Sequence, residues 1–465
     1  MIGRWADGQM GRRVFVLSAL LTSPLTAYRS ALSAQDGASV TIYNDGRVLV
    51  RRTFPLDLPR GSSDQKVSLG VADPGSIFST DSSVSLLGVS YDAATDLASV
   101  LRRSVGRTLT FRSGKETVSA TLLGVDPERY KLADGSVTFS RPGEPQFPEE
   151  LVVIDPAATL SLKSLSPRKG VGLGYFTGGA SWQASYHVLL GDKAARVSGW
   201  AVIGAGSLTL KDAEVQLLAG NVSRAATDAV SAPRPMAALA AREEKMATEQ
   251  KVGEFHLYTL PGRLTLLPGI STSTALFEPA STPYTRTYEV RGNIPYWGGL
   301  PQYGDEEEPP VSITYTLQRP RKTDFGDRPL PGGVVRIFQP DSSNRLQLIG
   351  EAAIDHTPAG EEVRLGAGQA FDLTAKRVQT SYSTRRDSVT TGNWRTVATA
   401  DYRVTLSNAG ETTVAVDVME ERGGEWSVVS SSVKGEKLSS TRTRFRVPVP
   451  ARGKATLTYR VRVLW

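Results

Sequence analysis

The 465-residue chain carries a formal net charge of +7, 44 glycines, 27 prolines, three histidines and no cysteine. The missing cysteine excludes disulfides, thiolate metal sites, a cysteine nucleophile and a lipidated cysteine. The length points to several domains of roughly 100–200 residues each, and the interspersed charge reads as a solvated surface with no footprint for nucleic acid.

His187, His256 and His356 are the only imidazoles, and no His-Glu-x-x-His spacing occurs, so no metal and no cofactor are expected. Short runs of Val, Thr, Ser, Leu and Tyr punctuated by Gly and Pro predict mostly β structure.

At the N-terminus Arg12 and Arg13 precede an apolar run at 14–25, shorter than the about 20 residues a bilayer requires, and the small residues Ala31, Ser33 and Ala34 follow. This is the pattern of an export signal spanning 1–34 and cut after Ala34, which leaves an extracytoplasmic chain, periplasmic or secreted. Gly11-Arg12-Arg13-Val14-Phe15-Val16 fits an ordinary Sec signal and, loosely, a twin-arginine one. The leader holds +3 of the charge, leaving +4, and no later segment reaches transmembrane length.

Residues 35–95 read as an N-terminal β segment. It opens on runs at 40–43 and 47–54 around Asn44-Asp45-Gly46, a strong hairpin signal, with strands expected at 65–69 and 84–90. The spacing of Leu97, Val100, Leu101 and Val105 predicts a helix over 94–105 that Gly106 stops. Strand-like runs at 108–111, 117–125, 130–132 and 136–139 follow, so 96–148 reads as a small SH3-like or Sm-like barrel. Such barrels sometimes bind RNA or peptides, but Arg102, Arg103, Arg107 and Arg112 are read here as a solvated rim.

A central β-sandwich is expected over 149–380, organised on 170–221. There Tyr175, Trp182, Tyr186, Val188 and Leu190 fall near two-residue spacing, with glycine breaks at 177–180 and 204–207. Trp182, Tyr186 and Trp200 are assigned to the inter-sheet core. Two inserts interrupt the domain. The first, 225–251, contains a helix-favouring stretch at 236–246 with almost no apolar stripe, and reads as a mobile insert between two strands of one sheet, or as a partner-binding helix. The second, 292–310, sets Tyr296, Trp297 and Tyr303 among glycines and prolines, where a flat apolar face can stack on a sugar or anchor a partner. Its acidic run, 305–308, lacks the ligand spacing of a calcium loop and reads as solvated charge. His256, in an alternating run, is expected at a rim rather than as a ligand.

Residues 381–465 hold runs at 396–407, 412–420, 425–431, 443–449 and 456–465, with turns at Asn408-Ala409-Gly410 and Arg422-Gly423-Gly424. That is the pattern of an immunoglobulin-like sandwich. The aromatic-ended 459–465 is similar to the last strand of an outer-membrane barrel, but the other strands such a barrel needs are missing from the pattern. The fold class is therefore all-β: multi-domain β-sandwiches, the C-terminal one immunoglobulin-like, with a small N-terminal SH3-like barrel and few helices.

Several stretches resemble one family. They are Val171-x-Leu173-x-Tyr175-x-Thr177-x-Gly179-x-Ser181-Trp182-x-Ala184-x-Tyr186, Leu218-Ala219-Gly220-Asn221-Val222 and His256-Leu257-Tyr258-x-Leu260-Pro261, then Leu330-Pro331-x-Gly333-x-Val335-Arg336-Ile337-Phe338, Ile349-Gly350-Glu351, Asp355-His356-Thr357-Pro358 and Ala370-Phe371-Asp372-Leu373. In this order they resemble the bacterial family described as domain of unknown function 4139 (DUF4139), mucoidy inhibitor A-like. The resemblance covers about 150–465 and, less closely, 38–149. It implies an exported all-β protein of unknown activity; the long coiled coil of many members has no counterpart here.

Two functions are open to this sequence. One is a non-catalytic cell-envelope protein that binds a protein or polysaccharide through Tyr296, Trp297 and Tyr303. The alternative is a hydrolase that uses Glu351, Asp355, His356 and Asp372, which could supply carboxylates and an imidazole for acid–base work. Residues of these types are equally at home in turns and strand caps, and no Gly-x-Ser-x-Gly elbow is present.

Overall fold

A computed structural model describes residues 37–220, 222, 247–294, 306–390 and 393–465. The export-signal region, most of the first insert and the aromatic part of the second lie outside these residues. Among the described residues the chain is β apart from one α-helix, Leu97–Arg103, and two short 3-10 turns, and no helix is long and apolar enough to cross a membrane.

The hairpin expected at Asn44-Asp45-Gly46 joins Ser39–Tyr43 to Val48–Leu58, with Gly46 in the left-handed region at φ 86°. On its other edge Ser39–Tyr43 pairs in parallel with Leu210–Ala219, and Val48–Leu58 pairs with Arg168–Thr177. The N-terminal segment is thus woven into the central sheet. A second sheet repeats the pattern, placing Ala157–Ser164 between Gly61–Ser68 and Val84–Asp92. Residues expected in two domains therefore share one apolar core, in which Val40, Ile42, Leu160, Leu162 and Leu173 are fully buried.

The organising stretch behaves as its spacing predicts. Tyr175, Trp182, Tyr186, Val188 and Leu190 are all buried. The Trp182 indole N–H donates to the Leu218 carbonyl at 3.3 Å and the Tyr186 hydroxyl to the Pro331 carbonyl at 2.7 Å, so both polar tips are satisfied. The two glycine breaks pack on each other: the Ser207 amide donates to the Gly179 carbonyl at 3.0 Å, and a Cβ on Gly206 would stand 2.2 Å from that same oxygen.

Trp200 departs from the expectation and is 37% exposed. In its strand, Ala194–Gly204, the residues Ala195, Val197, Gly199, Ala201 and Ile203 turn inward, and strict alternation puts Trp200 on the outer face.

The segment 96–148 forms its own small core of Leu101, Leu109, Phe111, Ala120, Leu122 and Tyr130. Its helix is shorter than predicted. Asp96 caps it by accepting from the Ser99 amide at 3.0 Å, and two turns present only Val100 and Leu101 to the sheet, leaving Leu97 and Val105 exposed. The five strands run in the order Glu144–Gln146, Thr108–Ser113, Glu116–Val125, Glu128–Leu132, Val137–Thr138, and the two outermost do not pair with each other. The expected barrel is therefore an open sheet.

The 23-residue strand Ser271–Asn293 leads into the C-terminal half. It pairs with Ala194–Gly204 along 271–283, then with Ser312–Leu317 on one edge and Val414–Glu421 on the other. Val414–Glu421 continues to Arg442–Val449. Against this sheet packs a second one, in the order Glu306–Glu307, Leu373–Thr390, Asn393–Asn408, Gly453–Leu464, Glu425–Ser431. The two enclose a core containing Val290, Val416, Val418, Tyr402, Phe445, Val447, Tyr459 and Val461. The result is the expected two-sheet sandwich, but it recruits residues well before 381, and the 380/381 boundary falls inside Leu373–Thr390.

A charged pair lies within that sandwich. Arg377 donates through Nε and Nη2 to the two carboxylate oxygens of Glu420, each at 3.0 Å, and through Nη1 to Glu307 at 3.0 Å. The Tyr459 hydroxyl donates to Glu420, and the guanidinium lies 4.2 Å from the Tyr402 ring centroid. Gly292 makes the approach possible, since a Cβ there would stand 2.2 Å from Glu420 Oε1. Burial alone would lower the Arg377 pKa, and the Glu420 carboxylate more than reverses this, so the guanidinium stays charged.

The acidic run also has a structural role. Glu306–Glu307 is a short edge strand, and Lys376 pairs with Glu306 and, at 3.0 Å, with Glu308.

Replacing one partner of the buried pair leaves the other charged and unpaired in the core. Glu420→Gln is expected to cost about 3–5 kcal/mol in urea unfolding, whereas Arg377→Met combined with Glu420→Leu retains most of the wild-type stability.

Candidate functional site

Of the residues grouped in sequence as hydrolase candidates, Glu351, Asp355 and His356 adjoin one strand, and Asp372 precedes a strand of a different sheet. Glu351 lies on the edge strand Leu346–Ile354, opposite Arg336, whose Nε is 2.9 Å from its carboxylate. Asp355 and His356 follow as exposed irregular chain. There His356 Nδ1 accepts from the Gly332 amide at 3.0 Å, and the Thr357 hydroxyl donates to the Asp355 carbonyl at 2.9 Å. Asp372 lies in the bend before Leu373–Thr390, where its carbonyl accepts from the Ala409 amide at 2.8 Å. His256 is 2.7 Å from Glu249 across a strand pair, at a rim as expected. Among the described residues no group of three or more His, Cys, Asp or Glu is placed to hold a metal ion. Tyr296, Trp297 and Tyr303 lie outside the described residues.

A different set of side chains does converge. In Val414–Glu421, Val416, Val418 and Glu420 face the core, so Asp417, Met419 and Glu421 face outward. The neighbouring strands obey the same parity. Val290 is inward while Glu289 and Arg291 are outward; Phe445 and Val447 are inward while Arg442, Arg444 and Arg446 are outward. The register sets Glu289 beside Asp417 on one side, and Arg446, Arg444 and Arg442 beside Asp417, Met419 and Glu421 on the other. Arg364, from Val363–Gln369, and Leu438 close the flanks of a groove of about 370 Å³.

Among the described residues, three of its seven charged side chains, Glu289, Arg291 and Arg444, are in close ion pairs. Arg291 Nε lies 2.6 Å from Glu289, and Arg444 Nη2 lies 2.6 Å from Glu436. Asp417 is only 8% exposed and has Arg444 Nη1 and Arg446 Nε each at 3.9 Å, too far for hydrogen bonds. Its Oδ1 and the Arg444 Nε are buried with no hydrogen-bond partner among the described residues. Burial pushes the Asp417 carboxyl above its ordinary range, against the pull of Arg446 and Arg444. Arg364 and Arg442 are exposed and enter no ion pair or side-chain hydrogen bond among the described residues. The arrangement offers free cationic forks beside a desolvated acceptor, which is equipment for holding a polar ligand.

The sequence reading passed over this site. The signal present was the alternation Arg442-x-Arg444-x-Arg446, which marks a charged strand face; which other strands lie beside it is not encoded locally.

These features define an all-β protein whose fused sandwiches carry a charged groove on one outer sheet face. In comparisons with known proteins, no protein-family model and no curated protein matches the chain.

Asp417→Asn is expected to keep the shape and remove the unsatisfied charge, leaving stability at neutral pH equal to wild type or about 1 kcal/mol higher. Because the folded-state pKa lies above the unfolded one, wild-type stability falls as pH rises between those two values. The gap between wild type and variant therefore narrows on acidification below the ordinary aspartate range, as urea titrations at several pH values would show.

Proposed function

We propose that the protein is an exported, non-catalytic β-sandwich protein of the bacterial cell envelope that binds a protein or glycan partner. The observation that carries this reading is the groove around Asp417, where, among the described residues, an acceptor without a donor sits beside two arginines, Arg364 and Arg442, that enter no ion pair. Buried polar groups in folded proteins nearly always have partners, ordered water among them, so an acceptor left without one beneath a groove marks a place that water or a ligand completes.

Two further features support the reading. The export-signal pattern at 1–34 fits an extracytoplasmic location, and so does the resemblance to the DUF4139 family. The segment containing Tyr296, Trp297 and Tyr303 is flanked at both ends by contacts to Arg377, through the Asn293 carbonyl at 3.5 Å before it and Glu307 at 3.0 Å after it. Asn293 pairs with Glu421 of the groove, so the aromatic segment follows directly on the strand end that carries the site. The hydrolase reading has less support, because its four residues serve two different sheets as strand and turn partners.

The test is fractionation of a tagged chain in a bacterial host, N-terminal sequencing, and crosslinking from the envelope fraction. The expected outcome is an extracytoplasmic chain beginning near Gln35, with a crosslinked partner whose yield drops about tenfold in Trp297→Ala. A cytoplasmic, unprocessed chain overturns the export reading. Hydrolytic turnover abolished by His356→Ala replaces the binding reading with the catalytic one.

A further inference from the structure

The groove itself limits what can occupy it. Among the described residues its lining holds four arginines, 291, 364, 442 and 444, against three carboxylates, Glu289, Asp417 and Glu421, a surplus of one positive charge. Adding the adjacent Glu436 and Arg446 leaves that surplus unchanged. A singly charged anion balances it, whereas a phosphate monoester, carrying close to two charges at neutral pH, would overshoot it beside three carboxylates. The arginines without partners among the described residues, Arg364 and Arg442, present planar forks, the geometry that takes a carboxylate in bidentate fashion.

Asp417 sets a second demand. Its carboxylate lines the groove with no hydrogen-bond donor at Oδ1 among the described residues, and the guanidinium groups of Arg444 and Arg446, each 3.9 Å away, would repel an incoming ammonium. A neutral hydroxyl meets the demand without that penalty. Met419 and Leu438 are the only apolar residues among the described lining, and about 370 Å³ is at the small end of ligand sites, which run from about 300 to 1,000 Å³. These features exclude a lipid chain and favour a compact polar ligand.

We infer that the groove is a subsite for a hydroxylated carboxylate, the chemistry of an acidic sugar unit, with Arg364 and Arg442 taking the carboxylate and Asp417 accepting a ring hydroxyl. This rests on the binding reading above and names the chemistry of its ligand.

The experiment is calorimetric titration of the mature chain with D-glucuronate, D-glucose, glucose 6-phosphate and acetate, repeated with oligoglucuronate. D-glucuronate is expected to bind, oligoglucuronate more tightly, and glucose and acetate at least tenfold more weakly. Arg442→Met and Arg364→Met are each expected to weaken glucuronate by about tenfold. Asp417→Asn weakens it by a similar factor while its unfolding midpoint is maintained, a separation that a purely structural aspartate would not produce. Glucose 6-phosphate binding tighter than glucuronate overturns the carboxylate assignment. Acetate equal to glucuronate, or affinity unchanged in Asp417→Asn, overturns the role of Asp417. If glucuronate does not bind but envelope crosslinking still depends on Arg442 and Asp417, the groove remains the binding site and the acidic-sugar assignment fails. If neither depends on them, both readings fail.

Discussion

Backbone hydrogen bonding along Ser271–Asn293 is the constraint on which the rest of the molecule depends. The first half of this strand contributes Leu276 and Phe277 to one core and its end contributes Val290 to the other. Both cores are therefore built on one continuous ladder. Where the pairing with Ala194–Gly204 shifts register, two successive residues, Leu276 and Phe277, are both buried. A bulge of this kind re-aims a strand without breaking it. The strand then reaches the C-terminal sandwich with Val290 turned inward and Glu289 and Arg291 turned out.

The parity of that strand propagates to its neighbours and separates two carboxylates only three residues apart. Glu420 falls on the inner face, where Arg377 and Tyr459 satisfy it and Gly292 leaves it room. Asp417 falls on the outer face, desolvated beneath arginines that stay out of hydrogen-bonding range. The first is a closed structural pair, with every strong donor and acceptor engaged. The second is incomplete, its Oδ1 left without a donor among the described residues.

Much of the fold was legible because its signals are local. Asn44-Asp45-Gly46 marks a hairpin through the backbone freedom of a single glycine, and Tyr175, Trp182 and Tyr186 mark buried strand faces through period-two spacing. Where legibility failed, it failed once on a strand's own parity and otherwise on non-local pairing. Trp200 is large and apolar, yet its parity within Ala194–Gly204 puts it outside. The boundary at 380/381 looked natural from composition, but a strand that begins at Leu373 and pairs forward through Asn408 cannot be divided there. Glu351, Asp355 and His356 stay at the end of one strand, whereas Asp372 precedes a strand of another sheet.

The sequence by itself determined the all-β class, the turns, and which side of each strand is apolar, because alternation and glycine placement act over a few residues. Tertiary structure alone decided which strands became neighbours. The parallel pairing of 288–293 with 416–421 cannot be read from either strand, yet its register is what brings Glu289 beside Asp417, and the antiparallel register of Arg442–Val449 is what brings the arginines over it. The groove exists because hydrogen-bond register, a long-range property, assembled charges that local patterning had merely turned outward.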